Sequence, residues 1–336
     1  MANENQTGIS EFVLLGLSTQ PQHQNLFFLL FLSLYLLTLL GNLLIVLLVH
    51  LDNRLLHTPM YFFLSQLSLA DLGFVSSTVP KILVNLMSPN KTISFSGCLI
   101  QMYFFLTFGN TDSFLLACMA YDRYMAICHP LHYATVMSHK RCLILACGSW
   151  ILSIDDELGV FHSQLIMGCA WLWHLPSALL HTLLTSRLSF CSSWEIPYFF
   201  CDVYPLLELS CSSTSLIKVL AQTEGVVDIL GPFVLIMISY MHIFCAIMKV
   251  PSAAGKRKAF STCGSHLTIV VLFYGTISCL YFQPTSAYSA QKGTITSLLY
   301  AVVIPMLNPF IYTLRNYDIK AAIVRLWDKS RSFQRT

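Results

Sequence analysis

The feature of this sequence that most restricts its fold is a run at 25–49, NLFFLLFLSLYLLTLLGNLLIVLLV, which contains no charged side chain. A helix needs about 20 predominantly apolar residues to cross a bilayer, so the run predicts a transmembrane helix. The charge content agrees, because 10% of the residues are charged against about 25% in soluble domains. We therefore expect lipid, rather than water, to cover most of the surface.

Further apolar runs repeat this pattern along the chain. They lie near 58–80, 97–121, 142–184, 226–248, 259–282 and 294–313. Their lengths favour helices over barrel strands, which would alternate with a period of two. The sequence predicts an all-α membrane protein built as a seven-transmembrane helix bundle. We expect an extracellular N-terminal segment (1–25), the bundle (26–314) and a cytoplasmic tail (315–336) whose stretch LRNYDIKAAIVRLWDKS predicts a short amphipathic interfacial helix.

The distribution of basic residues predicts the orientation of the bundle. No Lys or Arg precedes Arg54, and cytoplasmic segments are enriched in these residues. With the N-terminus outside, the cytoplasmic side holds Arg54, Arg123, Lys140, Arg141, Lys249, Lys256, Arg257, Lys258, Arg315, Lys320, Arg325, Lys329, Arg331 and Arg335. The outer side and the spans hold only Lys81, Lys91, Arg187, Lys218 and Lys292. We predict a multi-pass protein of the plasma membrane.

Two glycosylation sequons bear on the same question. Asn5-Gln6-Thr7 lies in the N-terminal segment and fits an extracellular position. The sequon at Asn90 is a weaker candidate, because it lies in a short loop close to the membrane.

The chain has 12 cysteines. Four of them would lie outside the cell, where disulfides persist: Cys98, Cys191, Cys201 and Cys211. Four cysteines allow three connectivities. No Cys-x-x-Cys or His-Glu-x-x-His spacing suggests a metal.

Polar residues inside the predicted spans are costly, so each is a functional candidate. Asn42, Asp71, Asp112 and Asn308 lie in four different spans and could meet in one polar cluster. Their oxygen atoms suit a sodium ion, and the alternative is a hydrogen-bonded network in which one acid is protonated.

Two motifs mark the ends of predicted spans. Asp122-Arg123 falls where the third run ends, and there the arginine could pair with Asp122 at rest and with another partner on activation. The last run ends in NPFIY (308–312), where Pro309 removes a backbone donor and permits a hinge.

These residues carry a resemblance. The residues GN at 41, LAD at 69, DRY at 122 and NPFIY at 308 resemble those of rhodopsin-type G-protein-coupled receptors. The chain is similar to the olfactory receptor family over nearly its whole length. The similarity rests on LHTPMYFFLSQLSLAD (56–71), MAYDRYMAICHPLHY (119–133), SY at 239, KAFSTCGSHLTIVVLFYG (258–275) and PMLNPFIYTLRN (305–316).

The resemblance implies a receptor that binds a volatile, mostly apolar odorant and activates a stimulatory olfactory G protein, which raises cyclic AMP. It also implies disulfides Cys98–Cys201 and Cys191–Cys211, and a sodium region at Asp71, Asp112 and Asn308. The residues expected to act in activation or G-protein contact are Asp122, Arg123, Tyr124, Tyr240, Lys256, Arg257, Lys258 and Tyr312. We expect no enzymatic activity, no nucleic-acid partner and no cofactor beyond the sodium ion; the partners are the odorant, the G protein and membrane lipid.

An odorant site should be an apolar cavity between helices with a few polar groups. Helical spacing selects its candidates: Phe105, Leu106, Gly109, Asn110, Glu224, Asp228, Tyr274, Ile277, Ser278 and Tyr281. For the aromatic residues the alternative is ordinary core packing. For Glu224 and Asp228 it is a position near the outer interface, within reach of water.

The run at 142–184, the fourth segment, is atypically long. It carries roughly twenty residues more than the family resemblance implies, and SIDDELG (153–159) lies in this excess. One crossing could begin at Cys142 and carry three acids near the bilayer centre; the other, which hydropathy favours, occupies 160–184. We hypothesise that the extra residues near 151–171 impair folding or surface delivery, so a poorly folding receptor variant is the alternative function. A transporter is less favoured because the chain lacks internal repeats.

Overall fold

The computed structural model describes residues 10–16, 21–129, 158–191, 194–281, 290–315 and 317–333. These residues are mostly helical. The helices are α1 (Pro21–Leu51), α2 (Asn53–Leu56), α3 (Pro59–Met87), α4 (Phe95–Cys128), α5 (Leu158–Ser186), α6 (Val203–Leu209), α7 (Ser215–Gly225), α8 (Gly231–Met248), α9 (Ala253–Tyr281), α10 (Ala290–Leu298), α11 (Ile304–Arg315) and α12 (Tyr317–Phe333).

Five helical segments in the described part are long and apolar enough to cross a membrane. They are His23–Leu51, Pro59–Met87, Ser215–Met248, Ala253–Leu280 and Gly293–Thr313. The exposed leucines of α1 show the lipid-facing character expected of such helices: Leu26 and Leu40, for example, are 64% and 67% exposed. Apolar side chains can remain on the surface here because hydrocarbon surrounds them.

The long helix α4 lies at the centre of the bundle, where it packs against α3, α5 and α8. It buries polar residues among its apolar ones, including Gln101, Thr107, Asp112 and Ser113. A central position explains this composition, because neighbouring helices can satisfy polar groups that lipid cannot.

Within the described residues, two short π-helical segments interrupt the long helices. The first, Val226–Leu230, joins α7 to α8, and the second, Leu299–Val303, joins α10 to α11. In the first, the Gly231 amide donates to the Val226 carbonyl. The next residue, Pro232, has no N–H to donate, so the helix loses one backbone hydrogen bond there. The change from the π-helical to the α-helical hydrogen-bond pattern occurs at this point.

A small three-stranded sheet, which the sequence analysis did not predict, lies at one end of the mostly helical bundle. Strand β1 (Glu11–Leu14) pairs antiparallel with β2 (Thr92–Ser94) and parallel with β3 (Glu195–Ile196). The order is β2-β1-β3. Strands of two to four residues are too short to show a reliable period of two, so the sequence pattern did not reveal them. We call this end of the bundle the disulfide end, and the opposite end, which carries α2 and α12, the tail end.

The core has two parts. The larger one runs through the helix bundle, and the smaller lies beneath the sheet, around Phe12, Leu14, Cys98, Cys201 and Leu207. Gly16, which follows β1, has a φ of 63°, and a Cβ there would lie 2.9 Å from the ring of Phe199. Glycine is therefore required where the N-terminal segment turns over the bundle.

The fourth segment contributes α5, Leu158–Ser186, which covers the 160–184 candidate. It packs against α4 and contains Pro176. Residues 130–157, which include Asp155, Asp156, Glu157 and most of the competing segment from Cys142, lie outside the described residues, as does Asn5.

Candidate functional site: a cavity beneath the disulfide end

Two disulfides fasten the disulfide end. Cys98 in the first turn of α4 is bonded to Cys201, and Cys191 is bonded to Cys211. The Cys201 amide also donates to Oε1 of Gln101 on α4, over 2.9 Å. These bonds hold the segment around Cys201 against α4 and form a roof over the space between the helices.

Below this roof lies a cavity of about 460 Å³. It is bounded by α4, α5, the start of α6, α7, the first π segment, α9 and the second π segment, and most of its surface is apolar. Its lining residues are Phe105, Leu106, Gly109, Asn110, Ser177, Ala178, His181, Asp202, Val203, Tyr204, Ala221, Gln222, Glu224, Gly225, Val226, Asp228, Ile229, Leu230, Ile277 and Tyr300.

The structure brings most of the ten sequence-predicted pocket residues together. Seven line this cavity: Phe105, Leu106, Gly109, Asn110, Glu224, Asp228 and Ile277. Tyr274 lies one turn from Ile277 but is outside the lining, and its hydroxyl pairs with Ser113 Oγ at 2.9 Å. Ser278 is exposed and does not line the cavity, while the side chain of Tyr281 is outside the described part.

Sequence reasoning missed the polar residues that α5 contributes, Ser177 and His181. Both are polar residues inside an apolar run, so the rule that selected Asp112 could have selected them. The uncertain boundaries of the fourth segment concealed which face of the helix they share. Asp202, Val203 and Tyr204 were missed because α6, whose start they form, is too short for its sequence to show a helical period.

The two carboxylates on the α7 side are bonded to side chains of α4 and α5. Glu224 Oε2 accepts from the Ser177 hydroxyl at 2.7 Å and lies 2.6 Å from His181 Nε2. Asp228 Oδ1 accepts from the Trp173 indole at 2.9 Å, and Oδ2 accepts from the Asn110 amide at 3.2 Å. Both acids therefore face the neighbouring helices.

A second polar group, the polar centre, lies deeper in the bundle. The Asn308 amide donates to both oxygens of Asp71, at 3.1 and 2.9 Å. Asn42 instead donates to the carbonyls of Thr38 and Pro305, so its amide nitrogen is not bonded to either acid. Asp112 and Asn308 line a small void beneath Tyr300.

The oxygen atoms of the polar centre fit a small cation. Asn42 Oδ1, Asp112 Oδ1 and Asn308 Oδ1 are buried and accept no hydrogen bond from the described residues. Carboxylate and amide oxygens are the ligands that hard cations prefer. No group of three or more His, Cys, Asp or Glu within the described ranges forms a metal site, so any ion would depend on the amide oxygens as well.

Comparison with known proteins decides the family. The sequence model described as "Olfactory receptor" matches residues 31–329. The chain is 54% identical to olfactory receptor 1f45 of Rattus norvegicus over 323 residues, which is 96% of each chain. It is 52% identical to olfactory receptor 1F1 of Homo sapiens over 326 residues, or 97% of each.

The chain belongs to the olfactory receptor family. It is therefore a receptor, not an enzyme, and a multi-pass membrane protein.

At the tail end of the receptor, the predicted activation residues surround the end of α4. Asp122 and Arg123 are both buried. Nearby, the Tyr240 hydroxyl lies 2.8 Å from His266 Nδ1, and Nε2 of the same ring lies 3.1 Å from the Leu116 carbonyl. These contacts join α8, α9 and α4 next to the arginine.

The remaining residues of this group are spread over the tail end. Tyr312 is buried with its hydroxyl 4.0 Å from Met119 Sδ, and the Tyr124 hydroxyl lies 3.0 Å from His129 Nε2. In the first turns of α9, Lys256 is half-buried and Arg257 is exposed, while the side chain of Lys258 is not among those described.

The contacts that hold helix α12 against the bundle include an ion pair and a hydrogen bond. Arg325 donates to Asp52 Oδ2 at 2.9 and 2.6 Å, and the Tyr61 hydroxyl donates to Asp318 at 2.8 Å. Burial raises the pKa of Asp52, but the bonds from Arg325 and the Arg54 amide outweigh it, so the pKa lies below its ordinary value. This pair thus stabilises the fold at neutral pH and loses its effect as the pH falls through that lowered pKa.

Proposed function

We propose that this receptor binds a small, volatile, mostly apolar odorant in the cavity beneath the disulfide end. The odorant then activates a stimulatory olfactory G protein at the tail end, which raises cyclic AMP. The observation that carries the proposal is the cavity of about 460 Å³, enclosed by α4, α5, α7 and α9. Its size and its apolar lining with a few polar groups are typical of small-molecule sites.

The proposal includes seven crossings with the N-terminus outside. Besides the five apolar segments, α4 and α5 have 34 and 29 residues, and at 1.5 Å per residue each exceeds the bilayer core of about 30 Å. Disulfides persist in oxidising compartments, which supports an extracellular disulfide end. Because β1 pairs with the sheet at that end, the N-terminus would lie on the same side, at the plasma membrane.

The contacts of α9 support a route from the cavity to the tail end. Ile277 lines the cavity, and Tyr274, one turn away, pairs with Ser113 on α4. Further along α9, His266 contacts Tyr240 and the α4 backbone. A ligand that binds better when these contacts change would shift the population toward the active state, and outward motion of α9 would open a cleft for the G protein beside Arg123.

A pair of glycine substitutions tests whether the cavity is the odorant site. Gly225 lines the cavity with no heavy atom within 4 Å of an added Cβ, and Gly275 on α9 has equally open surroundings outside the lining. We expect Gly225→Phe to fill the cavity and to raise the odorant concentration for half-maximal cyclic AMP production by at least about tenfold, equivalent to about 1.4 kcal/mol. Gly275→Phe should leave it unchanged.

The measurement uses a receptor with an N-terminal epitope tag. Antibody staining of intact cells reports the side on which the N-terminus lies and the surface level, and a cyclic AMP reporter reports the response to a broad odorant panel. Normal staining with a flat cyclic AMP response would contradict the proposal and favour a transporter. If both glycine variants lost the odorant response equally, the cavity would not be the odorant site.

We also propose that the polar centre holds a sodium ion, contacted by Asp71, Asp112, Asn308 and Asn42. The support is the set of buried oxygens without hydrogen bonds. In isolated membranes, replacing sodium by a large organic cation should change the half-maximal odorant concentration by about fivefold or more. Asp112→Asn should abolish this difference, whereas Glu208→Gln, which removes an exposed acid from α6, should retain it; a sodium effect that survives Asp112→Asn contradicts the site.

A further inference from the structure

Most of the ionisable side chains in the described cavity lining are acidic. The lining contains three carboxylates, Asp202, Glu224 and Asp228, and no Lys or Arg among the described residues. Two imidazoles of α5 lie next to Glu224 and Asp228, His181 in the lining and His174 behind it.

The two acids near α5 keep acceptor capacity for a ligand. Both hydrogen bonds that the described residues make to Glu224 end on Oε2, which leaves Oε1 free to accept. Each oxygen of Asp228 accepts one hydrogen bond, from Trp173 or Asn110, although a carboxylate has about four acceptor sites. The donors to Asp228 are neutral, so its charge is hydrogen-bonded without being compensated.

The histidine beside Asp228 does not compensate its charge, and the histidine beside Glu224 contacts one carboxylate oxygen. His174 is 3% exposed, its Nδ1 lies 3.9 Å from Asp228 Oδ2, and neither ring nitrogen is hydrogen-bonded to the described residues. His181 is 4% exposed and uses Nε2 toward Glu224, while its Nδ1 has no hydrogen-bond partner there. Burying a charged imidazole without hydrogen bonds is costly, which favours the neutral form of His174.

We infer that the ligands favoured by this cavity carry a basic nitrogen, protonated at neutral pH, that pairs with Asp228 and Glu224. This inference rests on the proposed function, and it names the chemical class of odorant. An ammonium group offers donors to both carboxylates, which lie one helical turn apart at positions 224 and 228. Its hydrocarbon part would occupy the apolar wall around Phe105, Leu106 and Ile277, and a volatile amine reaches the cavity in its neutral form.

The test compares odorants that share a carbon skeleton. Straight-chain and cyclic primary amines, the matched alcohols and the matched carboxylic acids are applied to cells that express the tagged receptor, and cyclic AMP is measured in surface-positive cells. We expect amines to act at concentrations at least about tenfold lower than their alcohols, because hydrogen bonds to charged groups are the stronger ones. The acids should be inactive, because the lining would repel them.

Two substitutions test whether the preference for amines depends on Asp228 and Glu224. Asp228→Asn and Glu224→Gln should each raise the half-maximal amine concentration by at least about tenfold and so remove the preference for an amine over its matched alcohol. The matched control is Glu208→Gln, which removes an exposed acid outside the lining. Should a variant fail to reach the surface, the melting temperature of the purified wild-type receptor gives a second measurement: the amine should raise it more than the alcohol does.

The outcomes separate the inference from the function on which it rests. A receptor that responds to alcohols, esters or acids but not to amines overturns the inference and leaves the proposed function in place. Unchanged amine responses in both variants also overturn it. If no compound in a broad panel produces cyclic AMP at normal surface levels, the proposed function itself fails.

Discussion

Replacing both Cys98 and Cys201 by alanine is expected to abolish surface delivery, whereas the same change at Cys191 and Cys211 should leave a measurable fraction at the surface. The first bond closes a separation of 103 residues and the second one of 20. Loop-closure entropy predicts contributions of about 4.7 and about 3 kcal/mol, respectively. These are upper values here, since membrane-inserted helices already restrict the unfolded chain.

Burial increases the difference between the two pairs. Cys98 and Cys201 are fully buried in the core beneath the sheet, and the Cys201 amide is held by Gln101. Cys191 and Cys211, by contrast, are exposed. Losing the Cys98–Cys201 bond would therefore release the segment that covers the cavity. It would also increase the conformational entropy of the unfolded chain.

The measurement is the ratio of surface to total receptor, from antibody staining of the N-terminal tag on intact and permeabilised cells. Cys279→Ala, at an exposed free cysteine on α9, controls for the loss of a thiol. If the Cys191–Cys211 pair proved the more damaging to lose, the argument from loop length and burial would be wrong.

The bundle was the part of the fold that the sequence predicted best, and the reason is physical. A charge-free run such as 25–49 has few alternatives to a helix in lipid, whatever its neighbours do. The same reasoning indicated that Asn42, Asp71, Asp112 and Asn308 could meet in one cluster, because each needs a polar partner inside the membrane. Asp71 and Asn308 do meet, across 237 positions. This reasoning could not predict that Asn42 would bond backbone carbonyls instead, since that depends on how closely α1 approaches α11.

The cavity was predictable only in part. Positions on α4 follow from the helical period once one residue is placed, which is why Phe105, Gly109 and Asn110 were found. The contribution of α5 depends on where that helix begins, and the acids at 155–157 obscured its start. Asp202 and Tyr204 reach the cavity because a disulfide holds their segment there, and no local pattern encodes such a contact.

Deleting residues 151–171 is expected to increase the surface fraction of the receptor several-fold. A crossing that begins at Cys142 would place three acids near the bilayer centre, at a cost on the order of 8–10 kcal/mol. The deletion joins Cys142–Trp150 directly to Leu172–Ser186, which gives one apolar segment longer than the about 20 residues that a crossing needs. Ser177, Ala178 and His181 remain to line the cavity.

The deletion also removes packing contacts of α5. Ala170 is buried and Trp171 packs against Phe108, and both would be lost with the first half of α5. Replacing Asp155, Asp156 and Glu157 together by serine is the matched control, because it removes the charges without changing the length. A gain from both variants assigns the defect to the acids, and a gain from the deletion alone assigns it to the extra length. An unchanged or smaller surface fraction after the deletion would contradict the hypothesis of impaired folding. The extra residues would then be compatible with folding and surface delivery.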